Sequence, residues 1–241
     1  MRYLLVDTAD VRGFVSLCEN ERSLHLTVHP ADQDYSSWLL PASGELLRRA
    51  GLSLSELDAY AVCSGPGSFT GLRVGLTTVK AWASIYAKPI AALSRLSALG
   101  SIPVEPNSSS FDFVAAYIDA QRGQVFASLY SPGAQQPIEA ESVIALPAFV
   151  EIVGRPSDGR PVLWRTPDPD LLRSLPQWQS RKATGDLLQE VVAPFAAPLA
   201  QLALKKLNRG EITDALSLDA NYIRRSDAEI FWKGNSSVAK V

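Results

Sequence analysis

The segment at residues 65–75, Gly-Pro-Gly-Ser-Phe-Thr-Gly-Leu-Arg-Val-Gly, gathers the residues with the clearest chemical potential. Glycines that leave a strand and open a helix are the usual material of phosphate-binding loops, because backbone N–H groups at a helix start hold anions. A Walker loop requires Gly-Lys-Ser/Thr at its end, whereas Leu72 and Arg73 follow Gly71 here. A dinucleotide fingerprint requires Gly-x-Gly-x-x-Gly, and Gly65, Gly67 and Gly71 are spaced one residue too wide. It also requires an acid about twenty residues further on, and that stretch reads Leu93-Ser94-Arg95. A nucleophile elbow fails at both flanks of Ser68, which are Pro66 and Thr70.

The other candidates are few. His25 and His29 are the only histidines. Their i, i+4 spacing suits a metal pair on a helix, but Ser-Leu-His-Leu-Thr-Val-His reads as a strand. A strand would set the two imidazoles roughly 13 Å apart on one face, too far to share an ion. Cys18 and Cys63 lie in apolar runs and are expected to be buried thiols. A Ser–His or Cys–His nucleophile is hard to assemble from this inventory. No catalytic residue, metal site or cofactor is expected.

The elements that position these residues follow from periodicity. Three β-rich runs, 2–6, 13–19 and 23–29, with short polar connections predict an antiparallel meander. A helix is expected over 36–50, with Gly51 as its C-terminal cap. A strand over 57–64 should lead through residues 65–67 into a helix over 69–87, then a strand over 88–93 and a short helix over 95–101. The run Pro103-Val-Glu-Pro-Asn-Ser-Ser-Ser110 has linker composition. Beyond it, strands are expected at 113–119, 124–131, 142–145 and 161–164, and helices at 147–153, 168–175, 186–192 and 196–208. This places a first lobe at 1–103 and a second at 104–232, with the last helix able to pack back on the first lobe. Residues 233–241 read as a frayed tail.

One echo runs across the linker. Leu-Leu-Val-Asp-Thr-Ala-Asp-Val-Arg-Gly-Phe-Val-Ser-Leu near the start parallels Ala-Ala-Tyr-Ile-Asp-Ala-Gln-Arg-Gly-Gln-Val-Phe-Ala-Ser-Leu later. Each is an apolar strand, an acid, a turn containing Arg-Gly and a second apolar strand. Asp7 corresponds to Asp119, and Gly13 to Gly123. Duplicated lobes facing a cleft would give this pattern, and so would two ordinary Asp-plus-Gly hairpins.

Composition narrows the classes. Of 241 residues, 46% are apolar and 20% charged, which supports a packed core. A formal net charge of −2 argues against a self-sufficient nucleic-acid binder, which needs a basic face to displace phosphate counterions. No apolar run reaches the roughly 18 residues a membrane span needs, and Met1 opens directly onto Arg-Tyr-Leu-Leu-Val-Asp without a signal-peptide pattern. Cytoplasm is the expectation.

The 65–75 segment then reads as mechanical. Ser68 suits an N-cap. Gly71 and Gly75 share one helical face, and each costs about 1 kcal/mol of helix stability relative to alanine. Close approach of another backbone would offset that, either inside the lobe or from a second molecule. In the second case Leu72, Val74, Val79 and Trp82 would adjoin the contact, and the preceding helix with Trp38, Leu39, Leu46 and Leu47 would supply the other half. Arg73 suits either a partner's carboxylate or a solvated face.

Taken with the N-terminal Leu-Leu-Val-Asp-Thr-Ala, the string Gly-Pro-Gly-Ser-Phe-Thr-Gly-Leu-Arg-Val-Gly resembles the TsaB (YeaZ) family of bacterial tRNA threonylcarbamoyladenosine machinery. Leu39-Leu40-Pro41, Glu45-Leu46-Leu47, Tyr117-Ile118-Asp119-Ala120, Arg122-Gly123, Val125-Phe126, Tyr222-Ile223-Arg224 and Ala228-Glu229 extend the match. The resemblance implies an α/β, actin-like (Hsp70-like, ribonuclease-H-like) fold of two duplicated lobes. It implies a non-catalytic subunit that supports a TsaD-type paralogue, with a TsaE-type ATPase joining the assembly. Contact with tRNA would come through the complex, and a homodimer is a second use of the same face. Carried onto this chain, the interface comprises Trp38, Leu39, Leu46 and Leu47 with Ser68, Phe69, Thr70, Gly71, Leu72, Arg73, Val74 and Gly75. Asp7 and Asp119 become members of a vestigial nucleotide cleft. Glycoprotease-like peptidase and actin-like ATPase or kinase are the alternatives. Two departures stand out: Tyr35-Ser36-Ser37, where relatives carry His-Ser-Glu, and Ala220-Asn221-Tyr222, where they carry Pro-x-Tyr.

Overall fold

A computed structural model of the chain describes residues 1–104 and 111–224. Most of the expected linker, the Ala228-Glu229 match and the expected tail at 233–241 lie outside those residues.

The first lobe is built on a five-stranded sheet in the order β3-β2-β1-β4-β5. Its strands are β1 (Arg2–Asp7), β2 (Phe14–Glu19), β3 (Arg22–Val28), β4 (Ala59–Gly65) and β5 (Ile90–Ser94). The first three form an antiparallel meander, and β4 and β5 add in parallel to β1. Central strands β1 and β4 are buried on both faces, which is why they read as continuous apolar runs rather than alternating ones. Helices α1 (Tyr35–Ala50), α2 (Phe69–Tyr86) and α3 (Arg95–Ser101) cover the sheet. Gly51 closes α1 at φ 66°, donating its N–H to the Arg48 and Leu47 carbonyls.

The second lobe repeats this plan. Its sheet has the order β10-β9-β6-β7-β8, with β6 (Phe113–Asp119), β7 (Gln124–Tyr130), β8 (Pro137–Ala145), β9 (Val162–Thr166) and β10 (Leu187–Glu190). Again a three-stranded meander comes first, and two parallel strands follow on the side of its first strand. Helices α4 (Leu146–Ser157), α5 (Pro169–Arg173), α6 (Pro176–Ala183) and α7 (Ala196–Arg209) complete the chain order. The echo in the sequence falls on the β1–β2 and β6–β7 hairpins, so Asp7 and Asp119 close equivalent strands. The last helix, α7, buries Leu199, Leu202, Ala203 and Leu207 in the core of the first lobe.

One expectation is corrected. Residues 187–190 are an edge strand, not a helix, paired in parallel with β9. Asp186 anchors that placement: its carboxylate accepts from Val162 N–H at 3.1 Å and Trp164 Nε1–H at 2.6 Å, and Arg181 pairs with it at 2.6 Å. The helix preceding it, α6, starts on Pro176 at its first position and buries Trp178. The lobes are also tied from behind. Arg165, 1% exposed on β9, donates to the Leu99, Ile102 and Pro103 carbonyls at the end of α3.

Candidate functional site

Between the lobes lies a cleft of about 840 Å³. Its walls are Asp10-Val11-Arg12 after β1, Pro66 to Phe69 at the β4–α2 joint, Ala120-Gln121-Arg122 after β6, Asp168 before α5, and Asn221 to Arg224. Both hairpin acids shape their own turns. The Asp7 carboxylate accepts Ala9 N–H at 2.9 Å, and that of Asp119 accepts Gln121 N–H at 2.7 Å. This i to i+2 bond is the Asx turn that lets the chain reverse at these points.

Their surroundings differ. Asp119 lines the cleft. Asp7 is 2% exposed, and its second carboxylate oxygen lies 3.4 Å from Arg95 Nε. The same Arg95 reaches Asp10 at 3.0 Å. Burial works against the Arg95 charge, but Asp7 and Asp10 outweigh it and hold the guanidinium above its usual range. Burial likewise opposes ionisation of Asp10, yet Arg95 and Arg12 win and keep its carboxyl below the ordinary carboxylate range. Arg12 continues the chain of charges, 3.3 Å from Asp10 and 3.9 Å from Asp168 in the second lobe. Asp168 is raised by burial, despite accepting Asp119 N–H at 2.8 Å.

A Mg²⁺–phosphate ligand needs carboxylate oxygens free to meet the metal or its waters. Here guanidinium groups already sit on Asp7, Asp10 and Asp168, so a cation would have to displace Arg95 and Arg12. Among the described residues no group of three or more His, Cys, Asp or Glu side chains is placed to hold a metal ion. His25 is exposed on β3, and His29 is stacked on Tyr35 at 3.8 Å. Cys18 and Cys63 are buried free thiols.

The β4–α2 joint is a socket for the turn after β1. Ser68 caps α2, its Oγ accepting Gly71 N–H at 3.2 Å, while its own N–H donates to the Ala9 carbonyl at 2.7 Å. A Cβ at Gly67 would stand 2.2 Å from the Ala9 oxygen. At Gly71 it would meet the Thr8 carbonyl at 2.0 Å, and at Gly75 the Thr8 hydroxyl at 2.3 Å. That hydroxyl donates to the Gly71 carbonyl at 2.7 Å. The close approach that paired helical glycines require is therefore made by Thr8 of the same chain. Of the two ways open to Gly71 and Gly75, packing inside the lobe accounts for the close approach at both.

The other expected interface residues divide in two. Trp38, Leu39, Leu46, Leu47 and Leu72 are buried against the first sheet. Ser68, Thr70 and Arg73 are exposed, and Phe69 and Val74 half-buried. Arg73 is already engaged: its guanidinium lies 3.9 Å over the Phe69 ring, and its Nε donates to Tyr222 Oη at 3.3 Å. Tyr35, the departure noted above, pins α1 to the β1–β2 turn through its hydroxyl, which accepts Gly13 N–H and donates to the Asp10 carbonyl. Thr8, Arg95 and Asp168 were not among the residues the sequence pointed to. Only Arg95 left a signal, as a lone cation between the apolar runs Ile90-Ala-Ala-Leu and Leu96-Ser-Ala-Leu.

Two duplicated α/β lobes around a cleft define the class as actin-like. The inorganic polyphosphate/ATP-glucomannokinase from Arthrobacter sp. strain KM shares that fold, with a TM-score of 0.55 at 10% identity, covering 86% of this chain and 99% of that one. YeaZ from Pseudomonas aeruginosa is nearer, with a TM-score of 0.71 at 28% identity, covering 92% of this chain and 99% of that chain. Among curated sequences, the tRNA threonylcarbamoyladenosine biosynthesis protein TsaB of Bacillus subtilis (strain 168) is 27% identical over 237 residues, 96% of this chain and 98% of that protein. The tRNA N6-adenosine threonylcarbamoyltransferase of Methylorubrum extorquens (strain PA1) matches at 33% over 81 residues, 34% of this chain and 23% of that protein. A family model described as TsaD, tRNA N6-adenosine threonylcarbamoyltransferase, covers residues 28–159. The chain belongs to the TsaB/YeaZ family.

Proposed function

We propose that this chain is a non-catalytic subunit in tRNA threonylcarbamoyladenosine biosynthesis, where it binds and supports a TsaD-type transferase. The observation that carries this reading is the length of the match. The B. subtilis biosynthesis protein aligns over 98% of its length, whereas the M. extorquens transferase aligns over only 23% of its own. Charge pairing in the cleft supports the non-catalytic half. With Arg95 seated on Asp7 and Asp10, the cleft is a degenerate nucleotide site, and the ATPase or kinase reading loses its metal carboxylates. A peptidase reading lacks a base near any nucleophile, since His29 is packed against Tyr35 and Trp38.

The docking surface is the outward strip of α1 and α2, with the buried residues Trp38, Leu39, Leu46, Leu47 and Leu72 supporting it from behind. Exposed Leu40, Pro41 and Gly44 on α1, and Thr70, Arg73 and Thr77 on α2, form that strip. Leu40, 56% exposed, gives that strip an apolar side chain. A TsaE-type ATPase joins the assembly, tRNA is met through the complex, and a homodimer competes for the same strip. The lobes divide at 103/104.

Reconstitution tests the reading. The transferase, its ATPase, a threonylcarbamoyl donor and substrate tRNA are combined with and without this chain. Modified adenosine should accumulate only when the chain is present, and the chain without the transferase should yield none. Transfer catalysed by the chain without the transferase would overturn the proposal.

A further inference from the structure

The last described residues do not belong to either lobe's sheet, yet they touch both. Leu218, 2% exposed, anchors the segment in the first-lobe core. Asn221 then donates its N–H to the Ser64 carbonyl at the end of β4, at 2.7 Å. Its side-chain amide donates to Glu141 on β8 of the second lobe, also at 2.7 Å. Glu141 further accepts from Ser94 Oγ of the first lobe and from Tyr130 Oη at 3.3 Å. Tyr222 lays its ring on Phe69 of α2, 4.7 Å between centroids. Arg224 crosses to the β6–β7 turn, donating to the Ala120 carbonyl and to Gln124 Oε1, each at 2.7 Å.

Both landing points are shaped for this contact. Gly65 stands at φ 139°, and a Cβ there would meet the Asn221 carbonyl oxygen at 2.7 Å. The β6–β7 turn holds three consecutive residues at positive φ: Gln121 at 62°, Arg122 at 59° and Gly123 at 72°. Two of these are not glycine, and such a turn persists only when its surroundings over-determine it. Arg224 grips the carbonyl just before it.

We propose that residues 219–224 are a strap that closes the cleft by joining the α2 start to the β6–β7 turn, so that its release opens the cleft while both lobes stay folded. The strap has no regular secondary structure, and Asn221 and Tyr222 are exposed. Side-chain contacts hold it, and only Ala220 and Ile223 lie against the core, each half-buried. Segments of that kind open at lower free energy than the core they lie on. Release removes two charge-assisted bonds from the β6–β7 turn and one ring from α2, while the sheets lose the two Asn221 bonds, to the Ser64 carbonyl and to Glu141.

Hydrogen–deuterium exchange on the full chain tests the strap. Wild type is compared with Arg224→Ala, Tyr222→Ala, Tyr222→Phe and, as a control away from the cleft, Arg160→Ala. Arg224→Ala and Tyr222→Ala should speed exchange roughly tenfold in peptides covering residues 66–70 and 120–124, with strands β1, β4, β6 and β9 unchanged. Tyr222→Phe keeps the ring on Phe69 and should retain most protection. Unchanged exchange at both landing points in the two alanine variants would overturn the proposal. So would an increase spread evenly over the sheets, which would mark the strap as an ordinary part of the fold.

Discussion

Alanine at Gly75 separates internal packing from an outside interface by the sign of its effect. Were the glycine face open to a partner, Gly75→Ala would stabilise the isolated chain by about 1 kcal/mol through helix propensity. The structure predicts the reverse. The new Cβ would stand 2.3 Å from the Thr8 hydroxyl, which is buried and donates to the Gly71 carbonyl at 2.7 Å. Overpacking costs about 1–3 kcal/mol, and the displaced hydroxyl leaves the Gly71 carbonyl short of a donor for about 1 kcal/mol more. Against the propensity gain, the net loss is about 2 kcal/mol, or about 4–8 °C in Tm for a chain of this size. Thr8→Ala should rescue it, because the remaining Thr8 Cβ lies at 3.5 Å, an ordinary contact. Gly71→Ala should destabilise as well, without rescue, because its obstacle is the Thr8 backbone carbonyl at 2.0 Å. Urea unfolding of the single and double variants measures all three. Stabilisation by Gly75→Ala, or equal rescue at both positions, would rule out Thr8 as the group that Gly75 accommodates.

Further perturbations test the cleft and the lobe junction. Arg95→Met leaves Asp7 buried without its cation and should cost about 3–5 kcal/mol in urea unfolding, with Asp7→Asn/Arg95→Met recovering part of the loss. The lowered Asp10 carboxyl contributes stability above its unfolded pKa of about 3.9, and loses it as pH falls through its lower folded value. The gap between wild type and Asp10→Asn at pH 7 should therefore narrow progressively in unfolding curves taken from pH 5 down to pH 2. Arg165→Met strands the Leu99, Ile102 and Pro103 carbonyls and should lower stability by about 3 kcal/mol, read as a fall in denaturant midpoint.

Much of the fold was legible because its signals are local. The strands at 113–119 and 124–130 and the helix at 95–101 could be placed from apolar runs and their flanking turns. The echo around Asp7 and Asp119 disclosed the duplication that the two matching sheet orders display. The strand at 187–190 was not legible. Its Leu187-Leu188-Gln-Glu is too short for periodicity to separate strand from helix, and the buried Asp186 contacts decided it. The cleft was legible only at its turns. Arg95 meets Asp10 across 85 positions of sequence, and Arg224 meets Ala120 across 104, so no local pattern announces either pair. The glycine spacing correctly signalled a close approach but could not say whose backbone approached. Tyr35 illustrates the same limit: read as a departure from relatives, it serves as the post that holds α1 against the β1–β2 turn.

The proposed function has this chain hold a transferase rather than use its own cleft. Isothermal titration of the purified chain, with Mg-ATP in one cell and with the TsaD-type transferase of the same organism in another, tests it most directly. The expected result is a saturable, stoichiometric isotherm with the transferase, weakened by Leu40→Arg or Thr77→Arg, and no measurable heat with Mg-ATP. Saturable Mg-ATP binding without any affinity for the transferase would contradict it.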